Sequence, residues 1–90
     1  MQFEWDPQKA AGNLSRHGVS FHEAATVCDD PLALTYPDPD HSEDESRYLT
    51  FGTSANGRLL VVAHAEVGDT IRIISSRPAT RKERKIYEEG

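Results

Sequence analysis

"RYLTFGTSANGRLLVVAHAEVGDTIRIISS" occupies residues 47–76 and contains apolar runs of strand length separated by two short turns. Asn56-Gly57 is the dipeptide most typical of a two-residue hairpin turn, and Gly68-Asp69 is a second candidate. The segment therefore predicts three consecutive antiparallel strands joined by tight turns.

Shorter signals outside this segment predict the neighbouring elements. LALTY at 32–36 is typical of a further strand, and FEWD at 3–6 of a brief strand that runs into a helix. Asp6 and Pro7 form a favoured helix start, and Gly18 is a favoured helix end.

Two capping boxes complete the order of elements. SFHE at 20–23 is expected to begin a second helix that ends near Cys28, and TRKE at 80–83 is expected to begin a C-terminal helix. The order β-α-α-β-β-β-β-α predicts a single α+β domain over residues 1–90. Its two N-terminal helices should pack on an antiparallel meander sheet, with one helix after the sheet.

The two hairpin turns also predict which side chains share a face of the sheet. If both turns have two residues, Arg47 lies opposite Glu66. His64 and Arg77 then lie on the same face of the sheet as this pair. That face is richer in bulky apolar groups, so we expect it to contact the helices. The other face, which carries Arg72, is more mixed and is the candidate for an open groove. A three-residue second turn would exchange the faces of Arg72 and Arg77.

Composition limits the class of protein. The chain has 90 residues and a net charge of −5, which argues against a general nucleic-acid coat. Cys28 is the only cysteine, so neither an intramolecular disulfide nor a cysteine-based zinc site is expected. Without a signal peptide or an apolar run of membrane-spanning length, we expect a cytoplasmic protein with no membrane partner. Acids cluster in residues 37–46 and bases in residues 72–85, which is compatible with a local basic site.

The C-terminal helix carries its charges against its own dipole, since Arg81 and Lys82 come first and Glu88 and Glu89 come last. An anion bound at the helix start would offset the cost of that order. Arg77, just before the helix, adds a guanidinium group that suits phosphate. These bases predict a phosphate-binding corner, and the alternative is that the charges are merely solvated.

His64, Glu66 and Arg47 form a second candidate site. An imidazole, a carboxylate and a guanidinium can act as base, acid partner and charge stabiliser when a 2′-OH attacks the adjacent phosphate of RNA. The alternative is a cross-strand ion pair beside a half-buried core histidine.

Two further signals are weaker. Tyr87, on the C-terminal helix, can stack on a nucleotide base or simply cover the sheet. His41 lies near Asp38, Asp40 and Glu43, but acids in a loop without fixed spacing are a poor metal signature. We therefore expect no metal ion and no cofactor.

Three long fragments carry a family resemblance: FEWDPQKAAGNLSRHGVSFHEAATV (3–27), VVAHAEVGD (61–69) and IRIISSRPATRKERKIYEE (71–89). They resemble the BrnT toxins of bacterial toxin–antitoxin pairs, and the similarity covers nearly the whole chain. The resemblance implies a RelE-like fold and an endoribonuclease that arrests growth by cutting RNA. It also implies a ribbon-helix-helix antitoxin, BrnA, whose complex with the toxin represses their operon.

With this resemblance we expect His64, Glu66 and Arg77 to be catalytic. The residues expected to bind RNA or its phosphates are Arg47, Arg72, Arg81, Lys82 and Tyr87. One departure is that the family's His-Thr-Glu-Arg is His64-Ala65-Glu66-Val67 in this chain, so an arginine is missing.

The preferred function is a metal-independent endoribonuclease toxin. The alternative, which the missing arginine favours, is a weakly active relative that serves as antitoxin partner and operon co-repressor. Operator DNA would be contacted only through the antitoxin, since the chain has no recognition-helix pattern.

Overall fold

The computed structural model describes residues 2–38 and 46–90. Within them the chain forms β1 (Gln2–Glu4), α1 (Pro7–His17), α2 (Phe21–Thr26), a short 3-10 helix (Val27–Asp29), β2 (Leu34–Pro37), β3 (Arg47–Thr53), β4 (Leu59–Val67), β5 (Thr70–Pro78) and α3 (Arg81–Glu89). The predicted order of strands and α-helices is confirmed. His41, Asp40 and Glu43 lie outside the described residues. Within the ranges 2–38 and 46–90, no group of three or more His, Cys, Asp or Glu side chains is placed to hold a metal ion.

Side-chain caps explain where the helices begin and end. The Asp6 carboxylate accepts a hydrogen bond from the Gln8 N–H at 2.8 Å, and Gly18 ends α1 with a φ of 69°. Ser20 begins α2 by accepting from the Glu23 N–H at 3.0 Å. These bonds satisfy backbone groups that helix ends leave open. None of the helices in the described part of the chain is long and apolar enough to cross a membrane.

The five strands form one sheet in the order β1-β5-β4-β3-β2. Strands β2 to β5 form the predicted antiparallel meander, whereas β1 pairs with β5 in parallel. The sheet is therefore mixed rather than wholly antiparallel. A parallel pair needs a long crossover connection, and here the rest of the chain between β1 and β5 supplies it.

The predicted register of the β3–β4 hairpin is wrong by one residue. The loop holds three residues, 55–57, with Gly57 in the left-handed region at a φ of 79°. Arg47 is consequently opposite Ala65 rather than Glu66. Three-residue loops with a left-handed glycine are a common hairpin form, and the Asn-Gly dipeptide does not distinguish them from two-residue turns.

The predicted β4–β5 register is correct beside the turn and changes further along. His64 pairs with Ile73 as expected, and a register shift between Ala63 and His64 then displaces the rest of β5 by one residue. A β-bulge of this kind re-aims the side chains that follow it. Arg77 therefore shares a face with Arg72, and the prediction that they lie on opposite faces is wrong.

Helices α1 and α2 cover the sheet face that carries Leu60, Val62 and Ile73. These three side chains are at most 2% exposed, and they pack against apolar side chains of the helical layer: Val19, Phe21, Ala24 and Val27. Gly52 lies on the same face, where an added Cβ would come within 2.8 Å of the Val27 side chain. The helical layer and β3 can approach this closely because Gly52 has no side chain.

We expect Gly52→Ala to lower the free energy of unfolding by about 1–3 kcal/mol, because its methyl group overpacks the contact with Val27. Urea unfolding followed by circular dichroism measures the change. Gly12→Ala is the matched control, since nothing lies within 4 Å of its added Cβ and alanine favours a helix by about 1 kcal/mol. A Gly52→Ala protein as stable as the wild type would contradict this account of the contact.

Candidate functional site

The sheet face opposite α1 and α2 carries three arginines. Arg47 and Arg72 flank Ala65, because each pairs with it from a neighbouring strand. Arg77 pairs with Val61, which lies on the same side of β4 as Ala65. We call this surface the arginine face and define it by Arg47, Arg72 and Arg77.

Uncharged residues separate the arginines. Leu49, Ala63 and Ser75 form the row between them, and Ser75 is exposed. The distance along β4 from Val61 to Ala65 is about 13 Å at the usual rise per residue. The arginine face therefore places cations at both ends of a short uncharged strip, which suits a ligand with more than one anionic group.

The Arg72 end of the face also carries an acid. Arg72 donates from Nε to Glu4 Oε2 at 2.9 Å, and the two side chains are 42% and 47% exposed. Solvent screens such a pair, so it contributes little to stability. Exchange of Glu4 for another anion should accordingly have a low energetic cost.

Arg77 is held by Glu83 through two hydrogen bonds, from Nη1 to Oε1 at 2.7 Å and from Nη2 to Oε2 at 2.8 Å. Glu83 Oε1 also accepts from the Thr80 N–H at 2.9 Å, and Thr80 Oγ1 accepts from the Glu83 N–H at 3.1 Å, so the predicted capping box is complete. Hydrogen bonding to Arg77 lowers the pKa of Glu83 to about 2, and the same contact raises the pKa of Arg77.

Arg81 and Lys82 lie exposed in the first turn of α3. Neither forms an ion pair with any residue in the ranges 2–38 and 46–90. Both directly precede Glu83 in the chain. In the predicted basic corner, the Arg77 guanidinium group is therefore already paired with a carboxylate of the chain itself.

Tyr87 is directed toward the sheet. Its hydroxyl donates to Asp30 Oδ2 at 2.6 Å and lies 3.3 Å from Thr53 Oγ1. Asp30 also accepts from the Thr53 N–H at 2.8 Å, and this bond, together with the one from Tyr87, lowers the pKa of Asp30. The hydrogen bond to Asp30 raises the pKa of Tyr87. The phenol that we predicted to contact RNA is therefore already engaged in the free chain.

His64 lies on the helix-covered side of the sheet, away from the arginine face. It is 4% exposed, its Nε2 lies 2.7 Å from Thr50 Oγ1, and its ring stacks on Tyr48 at a centroid distance of 5.9 Å. Burial lowers the pKa of His64, and the nearby Glu66 carboxylate opposes that shift. Glu66 is exposed near the β4–β5 turn. The structure thus brings the three arginines to one face without bringing His64 there.

Two carboxylates that organise this region, Glu83 and Asp30, were not among the residues predicted to form the site. Glu83 has a detectable signal, because the third position of a capping box is known to bond back to the helix start. Asp30 has none, since its partner Thr53 is 23 residues away along the chain and Tyr87 is 57 away. Only the fold brings those groups together.

We expect stability to fall as the pH drops below about 6.5, the ordinary pKa of histidine. The unfolded chain protonates His64 near that pH, whereas the folded chain does so only at lower pH, so unfolding takes up a proton in between. Urea unfolding at pH 7.5 and pH 5.5 tests this. The loss should be smaller in His64→Gln, and an equal loss in both proteins would contradict the assignment. Staying above pH 5 keeps Glu23 and Glu83 ionised, since the pKa of each is lowered.

A solved structure has the same fold. It is the crystal structure, at 1.1 Å resolution, of the ribonuclease toxin BrnT of Brucella abortus. The match has a TM-score of 0.71 at 24% sequence identity and covers 90% of this chain and 99% of that chain. At this identity the likeness shows the fold alone. A search of curated proteins found no match.

The sequence itself matches a family profile over residues 5–83, described as "Ribonuclease toxin, BrnT, of type II toxin-antitoxin system". This places the chain in the class of ribonuclease toxins from type II toxin–antitoxin systems. Within that class the chain belongs to the BrnT family, which confirms the resemblance noted in the sequence. Membership in a type II system implies an antitoxin partner.

Proposed function

We propose that this toxin is a metal-independent endoribonuclease that binds single-stranded RNA across the arginine face. The observation that carries the proposal is the placement of Arg47, Arg72 and Arg77 on one side of the sheet, opposite the N-terminal helices. Guanidinium groups bind phosphate through paired N–H donors. They can also neutralise the charge of a reacting phosphate, which is the role a metal ion plays in other nucleases.

The proposed reaction is attack by a 2′-OH on the adjacent phosphorus. A bond forms from the 2′-oxygen to phosphorus as that oxygen loses its proton to water, while the bond from phosphorus to the 5′-oxygen breaks and the 5′-oxygen takes up a proton from water. The products are a 2′,3′-cyclic phosphate and a 5′-OH end. Negative charge grows on the non-bridging oxygens, and we assign Arg77 to stabilise it. Arg47 and Arg72, about 13 Å away along the sheet, would hold a neighbouring part of the same strand.

The position of His64 argues for a supporting role. A side chain that is 4% exposed on the other side of the sheet cannot contact a phosphate bound at Arg77 without a rearrangement. We therefore propose that the neutral imidazole supports the fold, which was one of the two interpretations of the sequence. Glu66 is exposed, but it lies two residues after His64 and therefore on the same side of β4, so we propose no proton transfer by Glu66 to or from a phosphate bound at Arg77.

Arg77→Ala should lower the rate of RNA cleavage by about 10²–10³-fold, the usual effect of removing one donor to a developing oxyanion. The purified variant is assayed on a labelled RNA, and its expression alone should no longer arrest growth. Circular dichroism establishes that it is folded. Arg16→Ala, which removes an exposed arginine of α1, is the matched control and should cleave like the wild type. A folded Arg77→Ala that cleaves at the wild-type rate would refute the proposal.

The alternative function, a weakly active toxin that acts mainly as antitoxin partner and co-repressor, is favoured by one observation. Val67 occupies the position at which the family pattern has arginine. It lies two residues after Ala65 on the same side of β4 and is 41% exposed. An arginine at this position would add a fourth cation to the arginine face, and Val67 does not supply it.

Val67→Arg should consequently tighten RNA binding and raise cleavage. One added phosphate contact should steepen the slope of log affinity against log salt by about 0.7, the value for a single strand, which titration of a labelled oligonucleotide at several salt concentrations measures. Val67→Glu is the charge-reversed control and should weaken binding. If Val67→Arg leaves both affinity and salt dependence unchanged, this end of β4 does not contact RNA.

For the partner we propose a BrnA-like ribbon-helix-helix antitoxin that acts with the toxin in the cytoplasm, where the RNA substrate is. The exposed bases Arg81 and Lys82 favour an acidic segment of the antitoxin over this corner, because complementary charge directs association. Operator DNA would then be contacted by the antitoxin, which fits a toxin chain with a net charge of −5.

A further inference from the structure

Glu83 joins the end of β5 to the start of α3. Its carboxylate accepts from both Nη atoms of Arg77 and from the backbone N–H of Thr80. The Glu83 side chain is 19% exposed and that of Arg77 is 40% exposed. One carboxylate therefore sets the positions of both a guanidinium group and a helix start, while part of Arg77 stays open to solvent.

The contact with Glu83 leaves another edge of the Arg77 guanidinium group available for hydrogen bonding. A guanidinium group has five N–H donors, and Glu83 takes one from each Nη atom. Nη1 also has a long contact of 3.4 Å with the Pro78 carbonyl oxygen. Among residues 2–38 and 46–90, Nε has no acceptor, and Nη2 has none besides Glu83. Nε and Nη2 together form the kind of edge that binds a phosphate through two hydrogen bonds.

A carboxylate that is bound to an arginine can also compete with a phosphate for the guanidinium group, and the phosphate then displaces it. The capping box argues against that role, because displacement of Glu83 would break its bond with the Thr80 N–H and leave a helix donor open. Glu83 stays ionised at neutral pH, since its pKa is lowered to about 2. Geometry and charge thus favour a fixed support.

We propose that Glu83 is a positioning residue that holds Arg77 with its Nε–Nη2 edge directed at the RNA phosphate. The inference rests on the proposed function, because it requires Arg77 to contact that phosphate. Orientation of the guanidinium matters most in the transition state, where a displacement of about 1 Å can cost about 10²-fold in rate. Binding of RNA in the ground state is shared with Arg47 and Arg72 and should change less.

The test is a double-mutant cycle of the full chain with a labelled RNA oligonucleotide: wild type, Glu83→Gln, Arg77→Ala and the double variant. Glutamine is also favourable at the third position of a capping box, so α3 should keep its start. We expect Glu83→Gln to lower kcat by about 10–100-fold with KM nearly unchanged. In the Arg77→Ala background the same change should have no further effect, because the residue acts through Arg77.

Two variants separate positioning from stability. Glu89→Gln makes the same chemical change at the exposed end of α3 and should leave kcat unchanged. Thr80→Ala removes the hydroxyl cap but leaves the contact between Arg77 and Glu83, so Tm should fall while kcat is retained. If Glu83→Gln does not fold, Glu83→Asp replaces it, since the shorter side chain moves the carboxylate and should give the same loss of kcat.

The possible failures are distinguishable. An unchanged kcat in Glu83→Gln, or tighter RNA binding by it, would overturn the inference and identify Glu83 as a competitor or as a structural residue only. An equal loss of kcat in Thr80→Ala would show that the effect comes from the helix cap. Wild-type kcat in Arg77→Ala would overturn the proposed function itself.

Discussion

Burial of Leu60 and Val62 beneath α1 and α2 is the constraint on which the rest of the structure depends. Side chains alternate along a strand, so this burial directs Val61, Ala63 and Ala65 to the opposite side. Their partners on β3 and β5 follow them, and the arginines are among these partners. A shift of the strand register by one residue would move the core side chains to the other face of the sheet. Packing against the helices therefore fixes the register, and the register keeps the arginines on the opposite face.

Helix α3 makes polar contacts with the rest of the domain near both of its ends. None of its residues is buried, and it is connected by Glu83 to Arg77 near its start and by Tyr87 to Asp30 near its end. Partly exposed charged pairs contribute modestly to stability, but they define orientation well when they are bidentate. These contacts therefore position the basic first turn of α3 beside the arginine face more than they stabilise the domain.

The charge of the chain is uneven in a way that suits a local RNA site. A net charge of −5 repels nucleic acid at long range, whereas the three arginines on one side of the sheet, at positions about 13 Å apart along β4, act at short range. Such binding should depend strongly on salt. The acidic body and the cationic face together favour a small contact with RNA over an extended coating of it.

The sequence by itself determined the order of strands and helices, the helix caps and the BrnT family, because turn dipeptides, capping residues and long ordered fragments are local signals. It also indicated Arg47, Arg72 and Arg77 as functional candidates, but it assigned them to different faces. Only the tertiary structure decided their common face, since the three-residue loop at 55–57 and the register shift beside His64 depend on packing between strands and helices. The same holds for Asp30 with Tyr87 and for the burial of His64: each depends on groups brought from distant parts of the chain, and no local pattern encodes such a contact.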